Sequence, residues 1–253
     1  PILYVKRRSS ETIKYASNAF LAVKIHYINE MADFCEHTGA DIAEVAKGMG
    51  LDKRIGNRFL NAGPGYGGSC FPKDTMAMAY MARQNGVNMS IIEDVIQENA
   101  NRKKKMAHRI LEAVKDIPNA KIAVLGLAFK EGTDDCRESP AMEIINELLR
   151  LGASVTAYDP QAMPNAQRLL GDKIAYAADA YQAMEQADIV ALLTEWPAFR
   201  ELDLSRAAQL LRHKNIVDCR NLLDKEQAFA LGFNYSCIGY NPDCAKLKRG
   251  QAA

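Results

Sequence analysis

The sequence predicts an α/β protein in two parts: an all-helical domain over 1–117 followed by a Rossmann-like parallel-sheet domain over 118–253. Three observations carry this. Apolar residues in the first half recur at steps of three and four, which marks one face of a helix. Beyond 116–119 (Asp-Ile-Pro-Asn), short apolar runs alternate with helical stretches, the signature of a parallel sheet covered by helices. The 253 residues, 48% hydrophobic and 25% charged, are enough for two ordinary domains with a sizeable core.

Taken in order, Ile13, Ala16, Phe20, Val23, Tyr27, Met31 and Phe34 line one face of a long helix over 10–37. Residues 38–41 end it, and Asp41 is placed to cap the next helix, which Gly48 and Gly50 close. A glycine-dense loop covers 61–69. Pro72 suits the first position of a helix running to about residue 85. A long helix over 90–115 ends in a basic run, Arg102 to Lys105, read as a solvated face. In the second part, strands are expected at 121–125, 154–158, 188–192, 215–218 and 234–238, with helices at 139–151 and 178–186. The polar last dozen residues are expected to fray.

Composition excludes several classes. A formal charge of +1, from 32 basic and 31 acidic residues, gives no nucleic-acid groove or membrane-binding surface. No apolar run approaches the roughly 18 residues of a membrane span. Residues 1–8 lack a Met and the order of a signal peptide, so they read as an internal or trimmed start, with removal of an initiator Met as the alternative. Six cysteines without a C-x-x-C pair, and four scattered histidines, predict neither disulfides nor a metal site. Reduced thiols point to the cytoplasm.

The chemistry concentrates in 59–74, Phe-Leu-Asn-Ala-Gly-Pro-Gly-Tyr-Gly-Gly-Ser-Cys-Phe-Pro-Lys-Asp. Gly63, Gly65, Gly67 and Gly68 let the backbone approach a ligand and offer N–H groups. Cys70 precedes a helix N-terminus, where the dipole and the nearby Lys73 favour a thiolate, a strong nucleophile toward an aldehyde. Asp74 shares that first turn and is placed to handle a water or proton. By themselves these residues also fit a surface turn with a structural cysteine, and Lys14 fits an exposed helix lysine.

The full run resembles the active-site signature of the UDP-glucose/GDP-mannose dehydrogenase family. Its Tyr66, Ser69 and Phe71-Pro72-Lys73 variants look like the UDP-glucose branch. The resemblance covers nearly the whole chain. Residues 11–22 look like the start of the family's central helix, 52–56 like a segment whose Arg reaches a neighbouring subunit, and 126–140 and 218–221 like its nucleotide-sugar domain.

What this implies is specific. The helical part would be the central dimerisation domain and the sheet part the UDP-binding domain of a homodimer or larger homo-oligomer. The substrate would be UDP-glucose, oxidised to UDP-glucuronate in two steps with NAD as cofactor. Cys70 would capture the intermediate aldehyde as a thiohemiacetal, then carry a thioester that water hydrolyses. Lys14 would stabilise the oxyanion at the sugar C6, Asn18 would hold the sugar, and Asp74 would orient water. Phe59, Leu60, Asn61, Tyr66, Gly67, Phe129, Lys130 and Arg220 would contact the sugar nucleotide, and Arg54 would do so from a partner subunit. Cys70, Lys73 and Arg137 would face the NAD. The sequence departs from the family by absence: nothing before Ser9 supplies a G-x-G-x-x-G domain. The chain alone is therefore expected to bind NAD poorly and to be inactive.

Overall fold

The computed structural model describes residues 2–241. The predicted fraying of the last dozen residues, and Cys244, fall outside them.

Four helices come first: α1 (Arg7–Thr38), α2 (Ile42–Gly50), α3 (Phe71–Gln84) and α4 (Ser90–Glu112). Their ends follow local chemistry. Gly39, at φ 77°, returns its N–H to the Cys35 carbonyl and stops α1. Asp41 caps α2 by accepting from the Ala43 N–H. That helix runs through Gly48 and ends at Gly50. Pro72 is the second residue of α3, one later than expected, with Phe71 first and Cys70 in the cap position.

Then strands and helices alternate. They are β1 (Lys121–Leu125), α5 (Pro140–Arg150), β2 (Ser154–Tyr158), α6 (Met163–Leu170), β3 (Ala175–Tyr176), α7 (Ala180–Met184), β4 (Ile189–Leu192), α8 (Pro197–Arg200), α9 (Leu204–Leu210), β5 (Asn215–Asp218), α10 (Lys225–Ala230) and β6 (Asn234–Cys237). The six strands are all parallel in the order β3-β2-β1-β4-β5-β6. Chain direction across the sheet reverses between β1 and β4, the point where open α/β sheets hold ligands beyond the strands' carboxyl ends.

The five anticipated strands are present. The two-residue β3 and the short helices α6, α8, α9 and α10 were not anticipated. Each is too short to show a hydrophobic period.

One continuous core joins the two parts. Ile28 and Ala32 of α1 and Met106 and Ile110 of α4 pack with Ile122, Val124 and Leu148 beneath the sheet. The basic run on α4 is only half a solvated face: Lys104 and Lys105 are exposed as expected, and the other two residues are not. Arg102 and Lys103 are buried, because the face of α4 that carries them packs between α1 and α5. Arg102 reaches Asp33 of α1, and Lys103 pairs with Glu143 of α5 at 2.5 Å. Burial pulls the Arg102 guanidinium below its ordinary value, and Asp33 only partly restores it. No helix among the described residues is long and apolar enough to cross a membrane.

Candidate active site

The glycine loop lies against the carboxyl edge of the sheet, and a cavity of about 760 Å³ opens between them. The helical side contributes Ile25, Asn57, Arg58, Phe59, Asn61, Tyr66 and the stretch from Gly67 to Phe71. The sheet side contributes Phe129 and Lys130 after β1, Glu195 after β4 and Arg220 after β5. These are the three strands that flank and follow the switch point.

Two buried carboxylates build the sheet side. Asp159 accepts from the Leu127 and Ala128 N–H groups (2.7 and 3.0 Å) and from Trp196 Nε1 (2.9 Å), which fixes the turn carrying Phe129 and Lys130. Asp218 accepts from the N–H groups of Arg220, Leu222 and Leu223 and from the Tyr235 hydroxyl, all within 3.0 Å. This fixes the turn that presents Arg220. Burial pushes the Asp218 carboxyl up despite these donors. Arg220 Nε lies 2.9 Å from both the Leu193 carbonyl and Glu195 Oε2.

The loop glycines do something different from what the sequence implied. A Cβ on Gly67 would lie 2.1 Å from the Glu138 carbonyl, and one on Gly68 would lie 2.7 Å from the Phe129 ring. These two residues are glycine because the loop packs tightly on the sheet part, not only because a ligand approaches. The Gly63 and Tyr66 N–H groups are likewise already bonded, to Asn29 Oδ1 and Asn99 Oδ1. Phe59, at φ 63°, holds a backbone conformation that L residues rarely adopt.

Cys70 lines this cavity and is exposed, with its Sγ 3.8 Å from Ser69 Oγ. The other described cysteines, Cys35, Cys136, Cys219 and Cys237, are buried. Burial pushes the thiols of Cys136, Cys219 and Cys237 up to about 12.

Below Cys70, three predicted residues converge on Asp74, which is only 2% exposed. Asn18 Nδ2 donates to Asp74 Oδ2 at 2.5 Å, Lys14 Nζ lies 3.7 Å from the same oxygen, and Lys73 bonds the other. Burial pushes the Asp74 carboxyl up, but the Lys73 and Asn18 hydrogen bonds and the two ammonium charges outweigh it. They hold Asp74 below the usual carboxylate range. Its oxygens are filled by these donors, so a role in proton transfer requires one amine to move. Both lysines are mostly solvent-exposed and free to do so.

A second cleft, of about 590 Å³, lies across the Gly68-Ser69 backbone from the first. Lys73, Arg137 and the buried Ser139 line it. Arg137 is exposed and pairs with Asp135 at 2.7 Å.

Besides Lys14, Asn18 and Asp74, which cluster together and line neither cleft, two further predicted site residues lie elsewhere. The Leu60 side chain is buried in the main core, because the loop enters the fold there, and does not face the cavity. Arg54 is exposed, pairs with Asp52 and does not line the cavity of its own chain. Glu195, Asn57 and Arg58 were missed. Glu195 was within reach, because it lies just past a central strand's carboxyl end, where such sheets bind ligands. Among the described residues, no group of three or more His, Cys, Asp or Glu is arranged to hold a metal.

Comparison with known proteins agrees with this layout. Residues 8–101 match the central domain of the UDP-glucose/GDP-mannose dehydrogenase family, and 123–225 match that family's UDP binding domain. The UDP-glucose 6-dehydrogenase of Rhizobium meliloti (strain 1021) is 47% identical over 96% of this chain and 55% of its own length. The UDP-glucose 6-dehydrogenase TuaD of Bacillus subtilis (strain 168) is 46% identical over 94% of this chain and 52% of its own. A UDP-glucose dehydrogenase structure from Pyrobaculum islandicum superposes with a TM-score of 0.86 at 37% identity, covering 95% of this chain and 53% of that one. The chain thus spans about half the length of the relatives it matches. Both halves of the site, the glycine loop and the sheet edge, fall within matched domains, and the chain belongs to the UDP-glucose/GDP-mannose dehydrogenase family.

Proposed function

We propose that this chain supplies the nucleophile and the sugar-nucleotide site of a UDP-glucose 6-dehydrogenase, with a central domain over 1–117 and a UDP-binding domain over 118–253. The observation that carries the reading is the exposed Cys70 on the wall of a cavity whose opposite wall carries Lys130 and Arg220. A diphosphate at those two cations would leave the sugar between the glycine loop and the thiol. Phe59, Asn61, Tyr66, Gly67 and Phe129 line the space between, and the Leu60 backbone would complete the loop.

The family is NAD-dependent. The second cleft, on the far side of the loop from the sugar cavity, offers an anionic cofactor two exposed cations, Lys73 and Arg137, which would have to turn from Asp74 and Asp135, in a lining that also carries Glu138 and Glu143. NAD, when bound, would supply the hydride acceptor for each of two oxidations, C6 alcohol to aldehyde and thiohemiacetal to thioester, one NAD being reduced in each. The chain's own residues do the rest. The Cys70 thiolate adds to the C6 aldehyde, forming the C–S bond of a thiohemiacetal and leaving charge on oxygen, where the Lys14 ammonium stabilises it. Asn18 orients Asp74 and the sugar hydroxyls. Once the carbon is at the thioester level, a water placed by Asp74 attacks it. The C–S bond breaks, Cys70 recovers its electron pair, and the carboxylate leaves.

A second copy of the chain is part of this proposal. Ile13, Phe20, Tyr27 and Phe34 repeat every seven residues along α1 and are all exposed, Phe20 at 64% and Phe34 at 60%. A seven-residue apolar seam suits packing against another helix, and Arg54 would then reach the partner's site. The protein is expected to work in the cytoplasm.

The decisive experiment is NADH production by the gene product containing this chain, across UDP-glucose, UDP-galactose, UDP-N-acetylhexosamines and GDP-mannose, for wild type and Cys70→Ser. Turnover with UDP-glucose above the rest, lost by at least about 1,000-fold in the variant, is expected. Undiminished UDP-glucuronate output from Cys70→Ser would falsify the assignment.

A further inference from the structure

The glycine loop is gripped from behind by polar side chains that never enter the cavity. Asn99 of α4 forms a two-point bond with one residue: its Oδ1 accepts from the Tyr66 N–H at 2.8 Å, and its Nδ2 donates to the Tyr66 carbonyl at 3.1 Å. The same Oδ1 would sit 2.8 Å from a Cβ on Gly65, so Asn99 fills the space that glycine leaves. Asn29 of α1 accepts from the Gly63 N–H at 2.8 Å, and Arg102 Nε donates to the Gly63 carbonyl at 2.6 Å. Arg102 Nη1 reaches the Asn29 carbonyl and Asp33. Asn29, Asn99 and Arg102 are 2%, 6% and 7% exposed.

This is a costly way to secure a loop. Burying a guanidinium carries a desolvation penalty that apolar packing of similar volume would avoid. Here the penalty is incompletely met, because Arg102 Nη2 is buried without a hydrogen-bond partner. Stability alone does not explain an arginine at this position. Its fork does what an apolar side chain cannot: it ties the Gly63 carbonyl to α1 while Asn99 ties Tyr66 to α4. Between them the two anchors fix both ends of Gly63-Pro64-Gly65-Tyr66, the segment that leads through Gly67 and Gly68 to Cys70.

We infer that Asn29, Asn99 and Arg102 are positioning residues, a buried clamp that sets the glycine loop, and through it Cys70, against the sheet edge. The consequence for sugar-nucleotide binding rests on the function proposed above; the clamp itself does not.

Two measurements separate them. Hydrogen exchange of the Gly63–Gly68 amides reads the clamp with no ligand present. Calorimetric titration with UDP-glucose reads the site. Asn99→Ala and Arg102→Met are expected to stay folded, with melting midpoints lowered by only a few degrees for the backbone groups they leave unpaired. Both are expected to speed loop exchange and weaken UDP-glucose binding, each by about tenfold or more, roughly the loss of one buried hydrogen bond. Exchange in β1, β4 and β5 should not change. Asn99→Asp keeps the acceptor for the Tyr66 N–H and loses the donor, so it should recover part of both effects. Loop exchange at the wild-type rate in folded Asn99→Ala and Arg102→Met overturns the clamp. Loss of the fold in both variants overturns it as well, because the residues would then be structural supports. Faster loop exchange with no UDP-glucose binding even in wild type leaves the clamp standing and sinks the reading of the site.

Discussion

The two walls of the cavity are each organised around buried carboxylates, and the two sets differ in who holds them. On the sheet wall, Asp218 is gripped by three backbone N–H groups and a buried tyrosine hydroxyl. None of these donors moves without the fold. Behind the helical wall, Asp74 is gripped by one amide and by two lysines whose side chains are 62% and 68% exposed. The electrostatic outcome is opposite. Asp218 is pushed up by burial, and Asp74 is held down by charge. A carboxylate tied to rigid dipoles shapes a turn. One tied to mobile ammonium groups can exchange partners, which a proton-handling group must do.

The contrast predicts where each substitution should be felt. Asp218→Asn should have the largest effect on the fold. It places an amide N–H against donors and strands buried groups, at a cost of about 3 kcal/mol in urea unfolding. Asp74→Asn should leave the fold nearly intact and instead lower turnover by about 100-fold, the scale of a lost acid–base group. If Asp74→Asn unfolded the protein and Asp218→Asn merely slowed it, the contrast would be reversed.

Acid titration sharpens the same comparison. Asp74 and Asp188 both sit below the ordinary value of 3.8; burial opposes this at each, but it is outweighed by Lys73 and Asn18 at one, and by Arg212, the Lys121 N–H and His213 at the other. A depressed carboxylate contributes stability that is fully present above 3.8 and is lost as pH falls through its lower folded value. Solvent screening of the exposed lysines trims the Asp74 share. Asp218 runs the other way, because protonation relieves its buried charge as pH falls past its raised value. The urea midpoint should therefore begin to drop below about pH 4, and less steeply in Asp74→Asn than in wild type. Parallel curves would show that Asp74 carries no linked charge.

The smallest effect belongs to a cap remote from both walls. Asp203 accepts from the Ser205 and Arg206 N–H groups at the start of α9. Asp203→Ala should cost about 1 kcal/mol of stability and leave UDP-glucose binding unchanged. A change in binding would mean that the scaffold and the site are not separable.

Much of this was legible in order along the chain. The long helices, five strands, the Asp41 cap and the Pro72 start are local features: a period, a capping carboxylate, a ring that fixes φ. The loop from residue 59 to 74 could be singled out because glycine density, a cysteine and a helix start coincide within it. The convergence of Lys14, Asn18 and Asp74 was partly visible, since Lys14 and Asn18 share a helix face.

Tertiary structure decided the rest. Arg102 and Lys103 read as solvated because charge on a helix usually is, as it is at Lys104 and Lys105, yet their face of α4 is covered by α1 and α5, and only that packing makes them internal. The glycines looked like ligand contacts, but two of them are small because Glu138 and Phe129, about 70 and 60 residues away along the chain, press on them. Glu195 and Arg220 meet because β4 and β5 are neighbours in the sheet. Local sequence fixes which groups are available and how each segment is wound. Which of them face water, which face each other and which are paired depends on distances between segments, and those exist only once the chain has folded.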